Sequence, residues 1–264
     1  MRVQRPKGTV DILPETSGQW EKVEQTARDL FKRANYHEIR TPSFENYELF
    51  SRSSGETSDV VEKEMYDFED KGGRSITLRP EGTAGTLRSA IEHGLLGDAL
   101  PVKAAYLLSA FRYEKPQAGR LREFHQFGVE MLGSPAAASD AEVISMVFHM
   151  FRELGIQASL ELNSIGCPTC RARYQKALRD HFATRREELC DTCKDRLERN
   201  PMRLLDCKSP VCQQIGEGAP MMLDFLCEEC TDHFAQVKAR LDAMGIPYII
   251  NPRIVRGLDY YTKI

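Results

Sequence analysis

"RYEKPQAGRLREFHQFGVE", residues 112–130, decides how this chain is read. Its first half sets Arg112, Lys115, Arg120 and Arg122 around a stretch containing Pro116 and Gly119; its second half alternates. With "VKAAYLLSAFRY" (102–113) in front and "EFHQFGVEML" (123–132) behind, the pattern predicts an antiparallel hairpin with a long loop. Alternation on the second strand puts Phe124, Gln126, Gly128 and Glu130 on one face and His125, Phe127, Val129 and Met131 on the other. The latter is a core face. The former offers an aromatic ring, an amide, a gap without a side chain and a carboxylate, which suits a pocket floor, although a half-buried strand with one wet side carries the same pattern.

Between residues 103 and 125 five basic residues (Lys103, Arg112, Lys115, Arg120, Arg122) face two acidic ones (Glu114, Glu123). Arginine's planar fork matches phosphate oxygens two at a time, so the cluster is a candidate phosphate site; a solvated hairpin tip is the plainer alternative. The whole chain, with 36 Lys and Arg against 39 Asp and Glu and a net charge of -3, argues neither for nor against a polyanionic partner.

Working outward, Trp20, Val23, Ala27, Leu30 and Phe31 recur at helical spacing within Thr16 to Asn35, just after Pro14, and predict an amphipathic helix lying on a sheet. "SITLRPEGTAGTLRSAIEHG" (75–94) reads as a strand, a polar turn at Pro80 to Thr83, and a helix that Thr83 caps and Gly94 closes. Ser139 with Glu142 makes a capping box for a helix through Leu154, and "ASLELN" (158–163) is strand-like. From Cys167 to about Cys230 the pattern is helical, all eight cysteines fall there, and residues 167–200 carry nine basic against six acidic side chains. This segment reads as an inserted module. After Gly245, "IPYIINPRIVRGLDYYTKI" returns to strand-like sequence.

The 264 residues, 41% hydrophobic, suffice for a proper core. No signal-peptide-like or membrane-spanning apolar run is visible, so a cytoplasmic location without membrane contact is expected. In a reducing compartment the cysteines are free thiols or metal ligands rather than disulfides. Cys167-x2-Cys170, Cys190-x2-Cys193 and Cys227-x2-Cys230, joined by Cys207-x4-Cys212, have the spacing of structural Zn2+ ligands, two pairs per site, so up to two ions would fit. Free buried or reversibly oxidised thiols fit the same spacing.

"FRYE" (111–114), the basic loop and "FHQFGVE" (124–130) resemble the second signature motif of class II aminoacyl-tRNA synthetases, in their histidyl family. "RPKGTVDILPE" (5–15), "LRPEGTAG" (78–85) and "RGLDYYT" (256–262) are similar to other marks of that family, the last of them highly specific. The resemblance implies an α+β fold in which an antiparallel six-stranded sheet is flanked by helices, with a helical Cys-rich insertion. It divides the chain into a catalytic core over 1–166, the insertion at 167–230 and a return to the core at 231–264. The third class II motif and the anticodon-binding domain would lie beyond Ile264, so a catalytic fragment of reduced activity is expected.

The implied reaction joins L-histidine to ATP, with Mg2+, to give histidyl-adenylate, followed by transfer to tRNA(His). Two anions meet when a carboxylate attacks the α-phosphate, so fixed positive charge and in-line placement are required. By resemblance Arg112 sits on the α-phosphate and Arg256 approaches it from the other side. Phe124 stacks on the adenine, Glu114 faces its amino edge, and Arg120 lies near the terminal phosphates. Glu81, Thr83 and Gln126 match acceptors for the amino acid's ammonium; Glu130 and Tyr261 match partners for the two imidazole nitrogens, Tyr260 lines the same pocket and Asp259 orients neighbours. The insertion is implied to hold the tRNA acceptor arm, and N-terminal elements to form a homodimer. Two rivals remain. One is the synthetase-like regulatory subunit of ATP phosphoribosyltransferase, which tends to lose the ligand constellation; the other is a zinc-stabilised RNA-binding protein with a dead site.

Overall fold

The computed structural model describes residues 3–54, 60–254 and 261–264. The chain divides into two compact units, one of Met1–Pro135 with Met146–Gln157 and one of Ala136–Ser145 with Ala158–Ile264.

The first unit opens with helix α1 (Pro14–Arg33), two residues ahead of the predicted span. Proline at its first turn has its ring pre-set for helix and no N–H to orphan. Asn35, at φ 60, turns the chain out into strand β1 (His37–Glu38). Ala27, Leu30 and Phe31 are buried, whereas Val23 stays 38% exposed, so the predicted apolar stripe packs only along its C-terminal half. Half-buried Trp20 instead tilts against His125, ring centroids 4.4 Å apart, and His125, expected on the core face, stays exposed.

Strand β2 (Phe44–Asn46), helix α2 (Tyr47–Ser54), strand β3 (Tyr66–Glu69), strand β4 (Ser75–Leu78) and helix α3 (Thr83–Glu92) follow, then strands β5 (Val102–Phe111) and β6 (Glu123–Leu132). The predicted hairpin is present. β5 and β6 pair antiparallel over their full length, Val102 opposite Leu132 and Phe111 opposite Glu123. β1 joins β5 in parallel, giving the order β1-β5-β6, and a second sheet has the order β2-β4-β3 with both pairings antiparallel. Phe111 N–H donates to Arg79 O at 2.9 Å and links the end of β4 to the end of β5. The resemblance implied six strands in one sheet; among the described residues the sheet centred on β5 holds three.

Helix α4 (Ala137–Glu153) begins two residues before Ser139, so the box expected there does not mark its start. Its Met146 and Met150 pack with Ala27, Leu30, Phe31, Tyr36 and Ala105, and Phe127, Val129 and Met131 of β6 close this cluster from the predicted core face.

In the second unit strand β7 shrinks to Glu161–Leu162. Four helices follow: α5 (Pro168–Ala183), α6 (Asp191–Arg199), α7 (Pro210–Gly216) and α8 (Glu228–Ala243). Strand β8 (Ile249–Ile250) pairs with β7 in parallel. A core of buried residues centred on Tyr174, Leu178, Phe182 and Leu204 lies wholly between Cys170 and Cys230. Among the described residues no helix is long and apolar enough to cross a membrane.

Candidate functional site

The candidate site is built where the turn after β4 meets the middle of the hairpin. Arg79 fixes that turn from below. Its Nε donates to Ser109 O at 2.6 Å and its Nη1 to Thr41 O at 2.8 Å and Pro42 O at 3.2 Å, so a buried guanidinium is satisfied by backbone carbonyls. Burial lowers the pKa of Arg79, and nearby Glu45 partly offsets this. Sequence reading missed Arg79, because a cation held by backbone oxygens leaves no acidic partner to notice.

Glu81 caps α3, correcting the expected cap at Thr83. Its Oε2 accepts from Thr83 N–H at 2.6 Å and its Oε1 from Ala84 N–H at 2.8 Å. Gln126 Oε1 accepts from Gly82 N–H at 3.0 Å, tying the turn to β6. A carboxylate at a helix start is favoured by the N-terminal end of the helix dipole and by otherwise orphaned N–H groups. Each carboxylate oxygen keeps a further lone pair for a ligand. As predicted, Gly94 closes this part of the chain with a left-handed φ of 66.

Tyr106 fills the gap at Gly128. The two are direct cross-strand partners, and a Cβ at Gly128 would lie 2.2 Å from the phenol ring while one at Gly82 would lie 2.4 Å from it. The Tyr106 hydroxyl donates to Glu130 Oε1 at 3.3 Å and stands 3.4 Å from Thr83 Oγ1. Tyr106 too was missed, yet a signal existed: a large aromatic placed opposite glycine in a long hairpin. Glu130 is 9% exposed. Burial pushes its carboxyl up to about 7 and neighbouring Glu81 adds to the rise, while the Thr83 and Tyr106 hydroxyls pull it down. Glu81, Thr83, Gln126 and Glu130 are thus linked with Tyr106 in one cluster through side-chain and turn hydrogen bonds.

At the rim, Arg112 Nε donates to Pro80 O at 3.0 Å, and its guanidinium carbon lies 5.2 Å from the Phe124 ring centroid. Among the described residues no carboxylate pairs with Arg112, which leaves its outer N–H groups for an anion. Glu114 and Arg120 form an ion pair at 3.1 Å. Arg122 stacks on Tyr113 at 3.9 Å and donates to Glu114 O at 3.2 Å, which stiffens the arm. Gly8 O, in the opening motif, accepts from Arg122 N–H at 2.7 Å. Tyr261 belongs to the second unit and is 42% exposed. Arg256, Asp259 and Tyr260 lie outside the described residues. Among the described residues the groups of side chains able to hold a metal ion are two sets of four cysteines.

Strand, capped turn and basic hairpin arm are the parts that the resemblance to class II aminoacyl-tRNA synthetases implies, and the comparisons with known proteins bear that class out. The family description "Histidyl-tRNA synthetase" matches residues 8–195. Histidine–tRNA ligase of Clostridium novyi (strain NT) is 54% identical over 264 residues, all of this chain and 64% of that protein. The crystal structure of apo S. aureus histidyl-tRNA synthetase superposes with a TM-score of 0.78 at 44% identity, covering 99% of this chain and 60% of that one. A structure titled ATP phosphoribosyltransferase regulatory subunit/histidyl-tRNA synthetase from Bacillus halodurans C matches at TM-score 0.67 and 21% identity, over 99% of this chain and 71% of that one, which shows the shared fold alone. The chain belongs to the histidyl-tRNA synthetase family. It spans less than two thirds of the length of its Clostridium novyi relative.

Proposed function

We propose that this chain carries the site at which L-histidine is activated by ATP and then transferred to tRNA(His). The histidine carboxylate attacks the α-phosphorus and pyrophosphate leaves; a hydroxyl at the tRNA 3′ end then attacks the carbonyl carbon and AMP leaves. Arg112, held by Pro80 O with its outer N–H groups open, meets charge developing on the α-phosphate, and Arg256 completes the clamp. Phe124 supplies the face for adenine. Glu114 and Arg120 part to take the base's amino edge and the terminal phosphates. Mg2+ arrives with ATP as part of the substrate, held mainly by phosphates and water.

Glu81, Thr83 and Gln126 receive the ammonium. Glu130 receives one imidazole nitrogen and Tyr261 the other, with Tyr260 lining the pocket and Asp259 orienting its neighbours. The observation that carries this reading is Glu130: a buried carboxyl, satisfied on one side by Tyr106 and poised near neutrality, is matched to an imidazole ring that titrates in the same range. A site built on such hydrogen bonds rejects analogues that lack them. The division into a core over 1–166, an insertion at 167–230 over the acceptor arm and a return at 231–264 belongs to the same proposal, as do the homodimer and a cytoplasmic location. The regulatory-subunit reading is disfavoured because Glu81, Arg112, Gln126, Glu130, Arg256 and Tyr261 are all present.

The test is histidine-dependent exchange of labelled pyrophosphate into ATP, measured on a chain carrying the relatives' full length, with calorimetric titration of histidine into the present chain beside it. Exchange that ignores histidine would overturn the proposal.

A further inference from the structure

The small core between Cys170 and Cys230 is unusual in what fills it. Alongside Tyr174, Leu178 and Phe182 it buries Cys170, Cys193, Cys207, Cys212 and Cys230, with Cys167, Cys190 and Cys227 packed at its edge. A core confined to about sixty residues supplies little stability by apolar burial, and segments of this size commonly need a further crosslink.

The eight sulfurs are sorted. Those of Cys167, Cys170, Cys227 and Cys230 lie within 4.8 Å of one another, and so do those of Cys190, Cys193, Cys207 and Cys212. Cys167 and Cys170 are 3.5 Å apart and Cys190 and Cys207 are 3.8 Å apart. A disulfide needs about 2.05 Å, whereas four sulfurs at about 2.3 Å from a tetrahedral zinc stand roughly 3.8 Å from each other.

The backbone prepares the same arrangement three times. Cys167, Cys190 and Cys227 each occupy the extended N-cap position of a helix, α5, α6 and α8, and Cys170, Cys193 and Cys230 sit in the first turn of those helices. Backbone N–H groups point at sulfur: Cys227 N–H to Cys170 Sγ at 3.1 Å, Cys190 N–H to Cys212 Sγ at 3.4 Å and Ser209 N–H to Cys207 Sγ at 3.4 Å. Such donors and helix starts offset the negative charge of thiolates gathered at one point. Gly166 enters the first set at φ 61, where a Cβ would lie 2.7 Å from the Cβ of Cys170, so only glycine brings the chain this close.

We propose that the eight cysteines form two structural tetrathiolate zinc sites: Cys167, Cys170, Cys227 and Cys230 clamp the ends of the helical segment, and Cys190, Cys193, Cys207 and Cys212 pin its interior. Soft thiolate donors in tetrahedral disposition select zinc over the hard cations, and four protein ligands leave no open position for catalysis. The outer site closes the long loop from Cys167 to Cys230 and the inner site a shorter one nested within it. Each ion displaces thiol protons as it binds, and its binding contributes directly to folding of the segment.

Metal analysis of the chain purified under reducing conditions is expected to give two zinc ions per chain. Cys167→Ser and Cys227→Ser should each remove one ion, as should Cys190→Ser and Cys207→Ser, and Cys167→Ser combined with Cys190→Ser should remove both. Because a variant can fail to fold, the same sites are read in the unaltered chain by replacing zinc with Co2+, where sulfur-to-metal charge transfer and intense visible bands report tetrathiolate coordination. Less than one zinc per chain with all eight thiols reactive in the native state overturns the proposal. So do disulfides found by mass spectrometry of unreduced peptides, or an iron spectrum as purified. A single ion unaffected by the Cys190 and Cys207 variants overturns the inner site.

Discussion

The phenol ring of Tyr106 occupies the space that a side chain on Gly128 would need, with the ideal Cβ position 2.2 Å from the ring. Size on one strand and its absence on the next are therefore a single feature. It lays the Tyr106 hydroxyl beside Glu130.

Gly128→Ala should destabilise the chain by about 1–3 kcal/mol, the usual cost of overpacking a filled site. Denaturant unfolding measures it. Combined with Tyr106→Ala, the glycine substitution should cost clearly less than it does alone, and additive effects would show that the ring is not what excludes the side chain.

Glu130 couples the candidate site to pH. Its carboxyl keeps its proton to about 7 in the folded chain, against an ordinary value of 4.5. Between those values the unfolded chain loses the proton and the folded chain retains it, so this residue's contribution to stability falls as pH rises from 4.5 to 7 and is flat above. Glu130→Gln removes the effect. The variant should gain stability relative to the parent, by about 3 kcal/mol at most, as pH rises through that window, while histidine binding weakens at least tenfold. Thermal melts at several pH values and calorimetry check the two halves separately.

Arg112→Ala should lower kcat/KM for histidine-dependent adenylate formation by about 10²–10³-fold, the scale for losing one fixed donor to a developing anion. Arg112→Lys should recover little of it. Lysine offers a point charge without the fork that holds Pro80 O and an anion together.

Arg79→Leu should cost about 3 kcal/mol or more, since it leaves the Ser109, Thr41 and Pro42 carbonyls facing an apolar group. Urea unfolding reads the loss. Histidine affinity should fall with it, because the turn bearing Glu81 loses its support.

Much of the fold is legible in the sequence because its signals are local. Alternation over 123–132 marks the hairpin and separates the core face of Phe127, Val129 and Met131 from the opposite face of Gln126, Gly128 and Glu130. Cysteine spacing marks the thiol segment but leaves its pairing open, since any two pairs have a suitable spacing. What escaped depends on distant partners. Arg79 finds its acceptors up to 38 residues away, and Tyr106 has meaning only against a glycine on the next strand. Glu81 takes the cap in place of Thr83 because its longer side chain reaches two N–H groups at once.

The Glu114–Arg120 pair carries a consequence for discrimination. Arg120 is largely exposed, 61% at the side chain, so the pair holds by no more than about 1 kcal/mol and opens readily. On the proposed roles, inorganic polyphosphate would draw Arg120 away and strand Glu114 beside an anion. An adenine nucleotide would answer the cation with phosphate and the carboxylate with its exocyclic amine. On those roles the ion-paired arm acts as a two-key lock, biased against bare polyanions and towards molecules that present both chemistries on one skeleton.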